Sequence, residues 1–285
     1  MGGKAEGRVR SLSMRDGAEL ASRHWEASAP RGVVVGVHGI RSHSGWYVRS
    51  CGQLASAGYE VVFPDRRGAG LNKSFRGDVS DWRVLVDDLG EFVGSVRGRL
   101  RGVPVHLEAI SWGAGIACAA LILHPDLADS LVLVTPGLAA KADMSLAEKL
   151  GVAAACLVNP RKLFDVPLGD ARLFTANPDR IAWIERDELS LGRCTARFLR
   201  ETRKLDRFVR RRAGRLRTPV LMMLAGRDRI VDNDGVLGIF DRFASRPKDV
   251  TVYPEAEHTL EFEPEAEGIF DDMVRWLNQR RGRSG

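Results

Sequence analysis

Cysteine is scarce in this chain: four residues, Cys51, Cys118, Cys156 and Cys194, each more than thirty residues from the next. That spacing fits neither a zinc knuckle nor a CxxC redox pair and leaves the thiols as small buried hydrophobes. Also missing is an uninterrupted apolar stretch of the about 18 to 20 residues that a bilayer span needs. The N-terminus, MGGKAEGRVRSLSM, has no apolar centre for a signal peptide, and Glu6 stands where a myristoylation signal has Ser or Thr. The expectation is a soluble cytoplasmic protein. Charge of one sign is not lacking, since the formal net charge is +6, with arginine densest in Arg203 to Arg217 (RKLDRFVRRRAGRLR). No aromatic-studded basic repeat accompanies that run and acidic residues are spread through the rest, so no nucleic-acid partner is expected. The run reads as a solvated helix face, with peripheral contact to an anionic lipid surface as the other reading.

What is present is an ordinary globular composition, 44% apolar and 28% charged over 285 residues, enough for one α/β core with an insertion. Arg10 to Met14 and Ala18 to Trp25 flank Arg15-Asp16-Gly17, an Asp-Gly hairpin signal. Beyond Ala29-Pro30-Arg31-Gly32, the run of valines in Val33 to Val37 predicts a central strand covered on both faces. Ser44 to Ala57 then reads as a helix stopped by Gly58, and Tyr59 to Pro64 as a buried strand. Trp82, Leu85, Leu89, Phe92, Val93 and Val96 recur at helical spacing, and Val103 to Ile110 supplies the next strand. Ser111 follows at once, then an apolar helix Trp112 to His124 stopped by Pro125, then a strand at Ser130 to Thr135. From Pro136 to about Leu216 helical segments succeed one another without a convincing strand. Alternation resumes with a strand at Pro219 to Leu224, a helix near Gly235 to Phe243, a strand at Asp249 to Tyr253 and a last amphipathic helix around Ile269 to Leu277. The expected fold is α/β: a mostly parallel central sheet with helices on both faces, opened by an antiparallel hairpin and interrupted by a helical insertion.

Ser111 lies in Ala109-Ile110-Ser111-Trp112-Gly113, with small residues two before and two after it. A strained strand-to-helix turn that lifts a nucleophile needs this pattern, because it brings those two Cα atoms together. The competing reading is a serine that only caps the helix behind it. A serine hydroxyl is a weak nucleophile near neutral pH; it requires an imidazole base, and the base a carboxylate that fixes its tautomer. Asp228, in Ala225-Gly226-Arg227-Asp228, follows one predicted strand, and His258, in Glu255-Ala256-Glu257-His258, follows another. Side chains beyond the carboxyl ends of parallel strands converge on one edge of the sheet, where Ser111 also lies. Asp232 is a rival carboxylate, placed where a helix N-cap belongs, and Asp228 is preferred. His24, His106 and His124 lie inside a strand or at a helix end and read as structural. For a developing oxyanion, the backbone N–H groups of Trp112 and of Ile40, in the loop His38-Gly39-Ile40, are the candidate donors.

The order Ser, Asp, His is that of the α/β hydrolases, and longer motifs narrow the likeness. His38-Gly39-Ile40-Arg41-Ser42-His43-Ser44-Gly45-Trp46-Tyr47 resembles the HGxxxHSxxY stretch of monoacylglycerol-lipase-like and lysophospholipase-like serine hydrolases. Asp65-Arg66-Arg67-Gly68-Ala69-Gly70-Leu71-Asn72 is similar to their DxRGxGxS, with Asn72 in place of serine. The likeness runs over about 10–138 and 216–281, the expected core, and not clearly into 139–215. It implies that Ser111, Asp228 and His258 are nucleophile, acid and base, that His38, Gly39 and His43 border the substrate, and that 139–215 is a helical cap over an acyl pocket. It implies a small mono-acyl ester as substrate and neither metal nor organic cofactor. Two departures stand out: the elbow reads Ala-Ile-Ser-Trp-Gly where these lipases have Gly-His-Ser-Met-Gly, which puts the bulk of Trp112 beside the serine. Within the insertion, Leu173 to Pro178 and Ala196 to Leu199 are either pocket lining or internal core. Rival readings are a silent hydrolase-fold binding protein and a serine peptidase, thioesterase or acyltransferase. The Asp nucleophile of a dehalogenase or epoxide hydrolase is excluded by Ser111.

Overall fold

A computed structural model describes residues 7–280. Of the tail expected over residues 1–9, residues 1–6 lie outside the described residues, and Arg8 and Val9 already belong to the first strand; position 281 of the expected core also lies outside. Strands β1 (Arg8–Ser13) and β2 (Glu19–Trp25) pair antiparallel, Ser13 opposite Glu19. The hairpin turns where expected: Gly17 adopts φ +83° and the Asp16 carboxylate accepts from Ala18 N–H at 3.1 Å.

Next come β3 (Val33–Val37), α1 (Val48–Ser56), β4 (Glu60–Pro64), α2 (Trp82–Arg99), β5 (Val105–Ile110), α3 (Gly113–Leu123) and β6 (Ser130–Val134). Every residue of β3, β4, β5 and β6 is buried, as strands covered on both faces require. The helix expected over Ser44 to Ala57 is split: a 3₁₀ turn at Ser44–Trp46 precedes α1. Helix α3 is buried on all sides through Ile122, which its run of alanine and glycine allows by letting α2 and a later helix approach closely.

The insertion between β6 and the next sheet strand holds α4 (Leu146–Val158), β7 (Leu163–Asp165), α5 (Pro178–Arg186), β8 (Arg193–Thr195) and α6 (Ala196–Arg212). It is not purely helical, contrary to expectation. β7 and β8 form an antiparallel pair of three residues each, too short for a periodic pattern to announce. The helices begin where side chains satisfy their free N–H groups: Ser145 and Glu148 form a reciprocal capping box on α4, Asn177 precedes Pro178 on α5, and Thr195 caps α6. The core resumes with β9 (Val220–Ala225), α7 (Asn233–Phe240), β10 (Lys248–Tyr253) and α8 (Ala266–Asn278).

The eight-stranded sheet runs β1-β2-β4-β3-β5-β6-β9-β10 and is parallel from β4 onward. Helices α1 and α8 pack on each other, as do α2 and α3, giving two helical layers. Because the chain leaves β3 to one side for β4 and returns to the other side for β5, the order reverses at β3 and opens a crevice at the carboxyl ends of β3 and β5. Ile40 and Ser111 lie at that crevice.

Candidate active site

Ser111 begins where β5 stops. It adopts φ +51°, a left-handed conformation that a serine holds only when its surroundings impose it. Three hydrogen bonds do so: Ser111 N–H to the Val134 carbonyl at 3.0 Å, and its own carbonyl accepting from Ala114 at 3.1 Å and Gly137 at 2.8 Å. A Cβ on Gly113 would lie 2.4 Å from the Val37 carbonyl oxygen, so the turn tolerates only glycine there. Ala109, whose extra methyl the elbow must accommodate, is fully buried. The helix-cap reading of the serine does not hold: the residue preceding α3 is Trp112, and no side chain caps that helix.

The Ser111 hydroxyl instead meets His258 Nε2 at 3.0 Å, while His258 Nδ1 donates to Asp228 Oδ2 at 2.7 Å. The second oxygen of Asp228 accepts from Ile230 and Val231 N–H, both at 2.8 Å, which holds the carboxylate in place. With Nδ1 donating, Nε2 is left as the acceptor facing the serine. Ser111, Asp228 and His258 are at most 9% exposed, so the chain of bonds is shielded from water. Asp232 sits at the N-cap of α7 as expected, although its side chain makes no capping bond, and it takes no part in the triad. His24 bonds Ser22 at 2.8 Å and His106 bonds Ser130 at 2.8 Å, both away from the site.

The loop after β3 brings Gly39 against the serine: a Cβ there would lie 3.3 Å from Ser111 Cβ and 3.7 Å from Oγ. Neither the Ile40 nor the Trp112 N–H is spent on an acceptor among the described residues. His38, expected beside the substrate, is a brace. Its Nε2 accepts from Arg66 N–H at 2.9 Å and its Nδ1 donates to the Gly39 carbonyl at 2.8 Å, the carbonyl of the peptide whose N–H is that of Ile40. Burial first, then the Arg66 charge, pull His38 down to about 3, so it stays neutral and keeps this tautomer. His43, also expected beside the substrate, is engaged as well. Its Nδ1 accepts from Gly45 N–H at 3.1 Å and its Nε2 donates to the Asp187 carboxylate at 3.1 and 3.2 Å. Neither imidazole has a nitrogen left for a ligand, whereas Gly39 lies against the serine.

The insertion contributes residues from both stretches that the sequence leaves open as pocket lining or internal core, Leu173 to Pro178 and Ala196 to Leu199. Phe174 sets its ring 6.0 Å from that of His258 and its carbonyl accepts from Thr259 N–H at 2.9 Å. Phe198, on α6, stacks on Trp112 at 5.4 Å. Both are buried, so each lines the site by being part of the insertion's inner face. Asp187 holds His43 and also accepts from Trp46 Nε1 at 2.8 Å, tying the insertion to the core. These partners lie far apart in sequence, and no local pattern marks them. Among the described residues no group of three or more His, Cys, Asp or Glu is disposed to hold a metal ion. Among the described residues no helix is long and apolar enough to cross a membrane.

Residues 28–265 match the family model described as serine aminopeptidase, S33. The chain is 28% identical to the monoacylglycerol lipase of Mycolicibacterium smegmatis, over 87% of its own length and 88% of that protein's. It is 27% identical to the monoglyceride lipase of Homo sapiens, over 95% of its own length and 90% of that protein's. Its fold superposes with TM-score 0.86 on a soluble variant of the Saccharomyces cerevisiae monoglyceride lipase solved with a substrate analogue, at 21% identity and covering 99% of each chain. With its fold, its elbow and this match over most of its length, the chain belongs to the serine aminopeptidase, S33, family and is a monoacylglycerol-lipase-like α/β hydrolase of the esterase/lipase type.

Proposed function

We propose that the protein cleaves carboxylic esters through an acyl-enzyme on Ser111, and that its substrate is a monoacylglycerol, a lysophospholipid or a similar mono-acyl ester. The observation that carries the reading is the unbroken Ser111–His258–Asp228 chain at 3.0 and 2.7 Å, on an elbow whose serine holds φ +51°. In this reading His258 Nε2 takes the Ser111 proton as Oγ attacks the ester carbonyl. The tetrahedral oxyanion receives the N–H groups of Ile40 and Trp112. The imidazolium, held by Asp228, then protonates the departing alcohol. A water activated by the same nitrogen attacks the acyl-enzyme and frees the acid, returning the proton to Ser111.

Residues 139–215 act as a cap in this account. Supporting it, Phe174 and Phe198 reach His258 and Trp112 from that segment. A mono-acyl lipid as substrate is supported by the relatives' activities and by the outer surface of the insertion. Helix α4 leaves Leu146, Leu150, Leu157 and Val158 exposed, and α6 carries much of the basic run for which contact with an anionic lipid surface is the second reading, after a solvated face.

The test compares wild type with Ser111→Ala on nitrophenyl butyrate and on a monoacylglycerol, together with fluorophosphonate labelling. Expected is loss of turnover by about 10⁴-fold or more and complete loss of label. Undiminished labelling of the variant sinks the proposal. Amino-acid nitroanilides cleaved faster than either ester would move the reading to a peptidase.

A further inference from the structure

Arg66 occupies the free position of the Asp65-Arg66-Arg67-Gly68 stretch, between β4 and α2, and its side chain is 8% exposed. A guanidinium so deeply placed ordinarily has a carboxylate beside it. Asp65 does not serve, because its two oxygens are taken by Ser44 N–H at 2.6 Å and Leu71 N–H at 2.8 Å. Among the described residues, Arg66 Nε and Nη1 have no hydrogen-bond partner, and Nη2 donates to the carbonyl of Ile40. The charge rests instead on ring faces: Cζ lies 5.0 Å from the Trp112 ring and 5.6 Å from the Phe198 ring, and those two rings stack on each other. Burial draws the group down to about 10, which still leaves it cationic at neutral pH.

These contacts converge on Ile40 and Trp112, the two residues whose unspent N–H groups are the proposed oxyanion donors. Arg66 grips Ile40 through its carbonyl, grips Trp112 through its ring, and through its own backbone N–H holds His38, whose other nitrogen holds the Gly39 carbonyl. The remaining ring belongs to α6 of the insertion. We infer that Arg66 is a positioning residue for the Ile40 and Trp112 N–H pair, and that its cation, seated beside the stacked rings of Trp112 and Phe198, makes the aim of that pair depend on the seating of α6. The inference rests on the serine-hydrolase reading above. Its physical content is pre-organisation: donors aimed at an oxyanion are effective only if they do not have to reorient as charge develops, and a nearby buried cation adds to the same stabilisation. It also accounts for the tryptophan after the nucleophile, since a smaller side chain there would offer the guanidinium no comparable face.

The experiment measures kcat, KM and the affinity of a trifluoromethyl ketone, whose serine adduct places an oxyanion between the donors. The proteins are wild type, Arg66→Ala, Arg66→Lys, Phe198→Ala and Ser111→Ala, each checked by thermal melting. Arg66→Ala is expected to lower kcat by about 100-fold and to weaken the ketone by a similar factor, with KM within about threefold of wild type. Arg66→Lys recovers part of the loss, because an ammonium can donate to the Ile40 carbonyl but cannot stack as a planar group. Phe198→Ala falls between them, with kcat and ketone affinity moving together. A folded Arg66→Ala with kcat within about threefold of wild type, or a loss carried by KM alone, overturns the inference. Should Arg66→Ala fail to fold, the other two variants decide: parallel losses in kcat and ketone affinity support it, and unchanged kcat in both overturns it. A wild type without Ser111-dependent turnover sinks the serine-hydrolase reading and this inference together, whereas an active wild type matched by its Arg66 variants sinks this inference alone.

Discussion

Ser111 can hold a left-handed backbone because the atoms around it leave no alternative, and Gly113 is the narrowest of those constraints. A methyl at position 113 would meet the Val37 carbonyl at 2.4 Å, and a backbone oxygen in the middle of a parallel sheet cannot step aside. Gly113→Ala is expected to cost about 1–3 kcal/mol in urea unfolding and to lower kcat more than it raises KM. Full stability with full activity would show that the elbow is looser than described. A second residue-scale prediction concerns Glu108, a carboxyl buried in β5 with Oε2 unpartnered among the described residues. Burial, aided by the neighbouring Glu261, pushes it up to about 8, and burial also raises Glu261. In the unfolded chain the group ionises near about 4.3, so between that value and 8 the unfolded state sheds a proton that the folded state keeps. Its contribution to stability is therefore full below the lower value and is lost as pH rises toward the upper one. Glu108→Gln removes this dependence. The variant's melting temperature should gain on wild type between about pH 5 and pH 8, in part only because Glu261 retains its own slope. An offset independent of pH contradicts the assignment.

At the scale of elements, the insertion is joined to the core by buried polar bonds as well as rings. Asp187 receives His43 and Trp46 from the core, and these bonds hold its carboxyl below the usual range despite the opposing effect of burial. Asp187→Ala strips both donors of their acceptor and should cost about 1–3 kcal/mol in denaturant unfolding. A neutral result would mean that water replaces the carboxylate. On the outside of the same segment, Leu150 and Leu157 of α4 are 64% and 88% exposed. Leu150→Ser combined with Leu157→Ser is expected to weaken binding to anionic phosphatidylglycerol vesicles by about tenfold or more, with turnover of soluble nitrophenyl butyrate within about twofold. Equal vesicle binding would remove the lipid-surface role from α4.

What could be read in advance also divides by element. The strands β3 to β6 and β9 are legible because a strand buried on both faces is written as a largely apolar run, and Ser111 and Asp228 because each follows such a run; His258 instead follows β10, a half-exposed edge strand. β7 and β8 were illegible because three residues cannot display a period. His38 and His43 were expected beside the substrate because a motif shows which residues recur, not where their nitrogens point. His43 is settled by Asp187, which lies 144 residues away, and His38 by the backbone of Arg66. The stretches holding Phe174 and Phe198 can be read in sequence as lining or core, but only the fold of the insertion sets their rings against His258 and Trp112, and the contacts of Arg66 have no local signal.

Taken whole, the molecule puts its chemistry where the sheet order reverses. β3 is flanked by β4 and β5, the crevice opens at its carboxyl end, and the loops after β3, β5, β9 and β10 deliver Ile40, Ser111, Asp228 and His258 to that edge. From the insertion after β6, Phe174 and Phe198 set their rings against His258 and Trp112. In the proposed reading a mono-acyl ester binds at this edge and passes its acyl group to Ser111. The most direct test of that claim is a rapid-quench mass measurement: the protein is mixed with excess monoacylglycerol, stopped in acid within milliseconds to seconds, and digested. The account predicts a transient acyl adduct on the peptide carrying Ser111, formed with release of glycerol and absent from Ser111→Ala. Glycerol release in Ser111→Ala at the wild-type rate, or an acyl adduct on another residue, would contradict it.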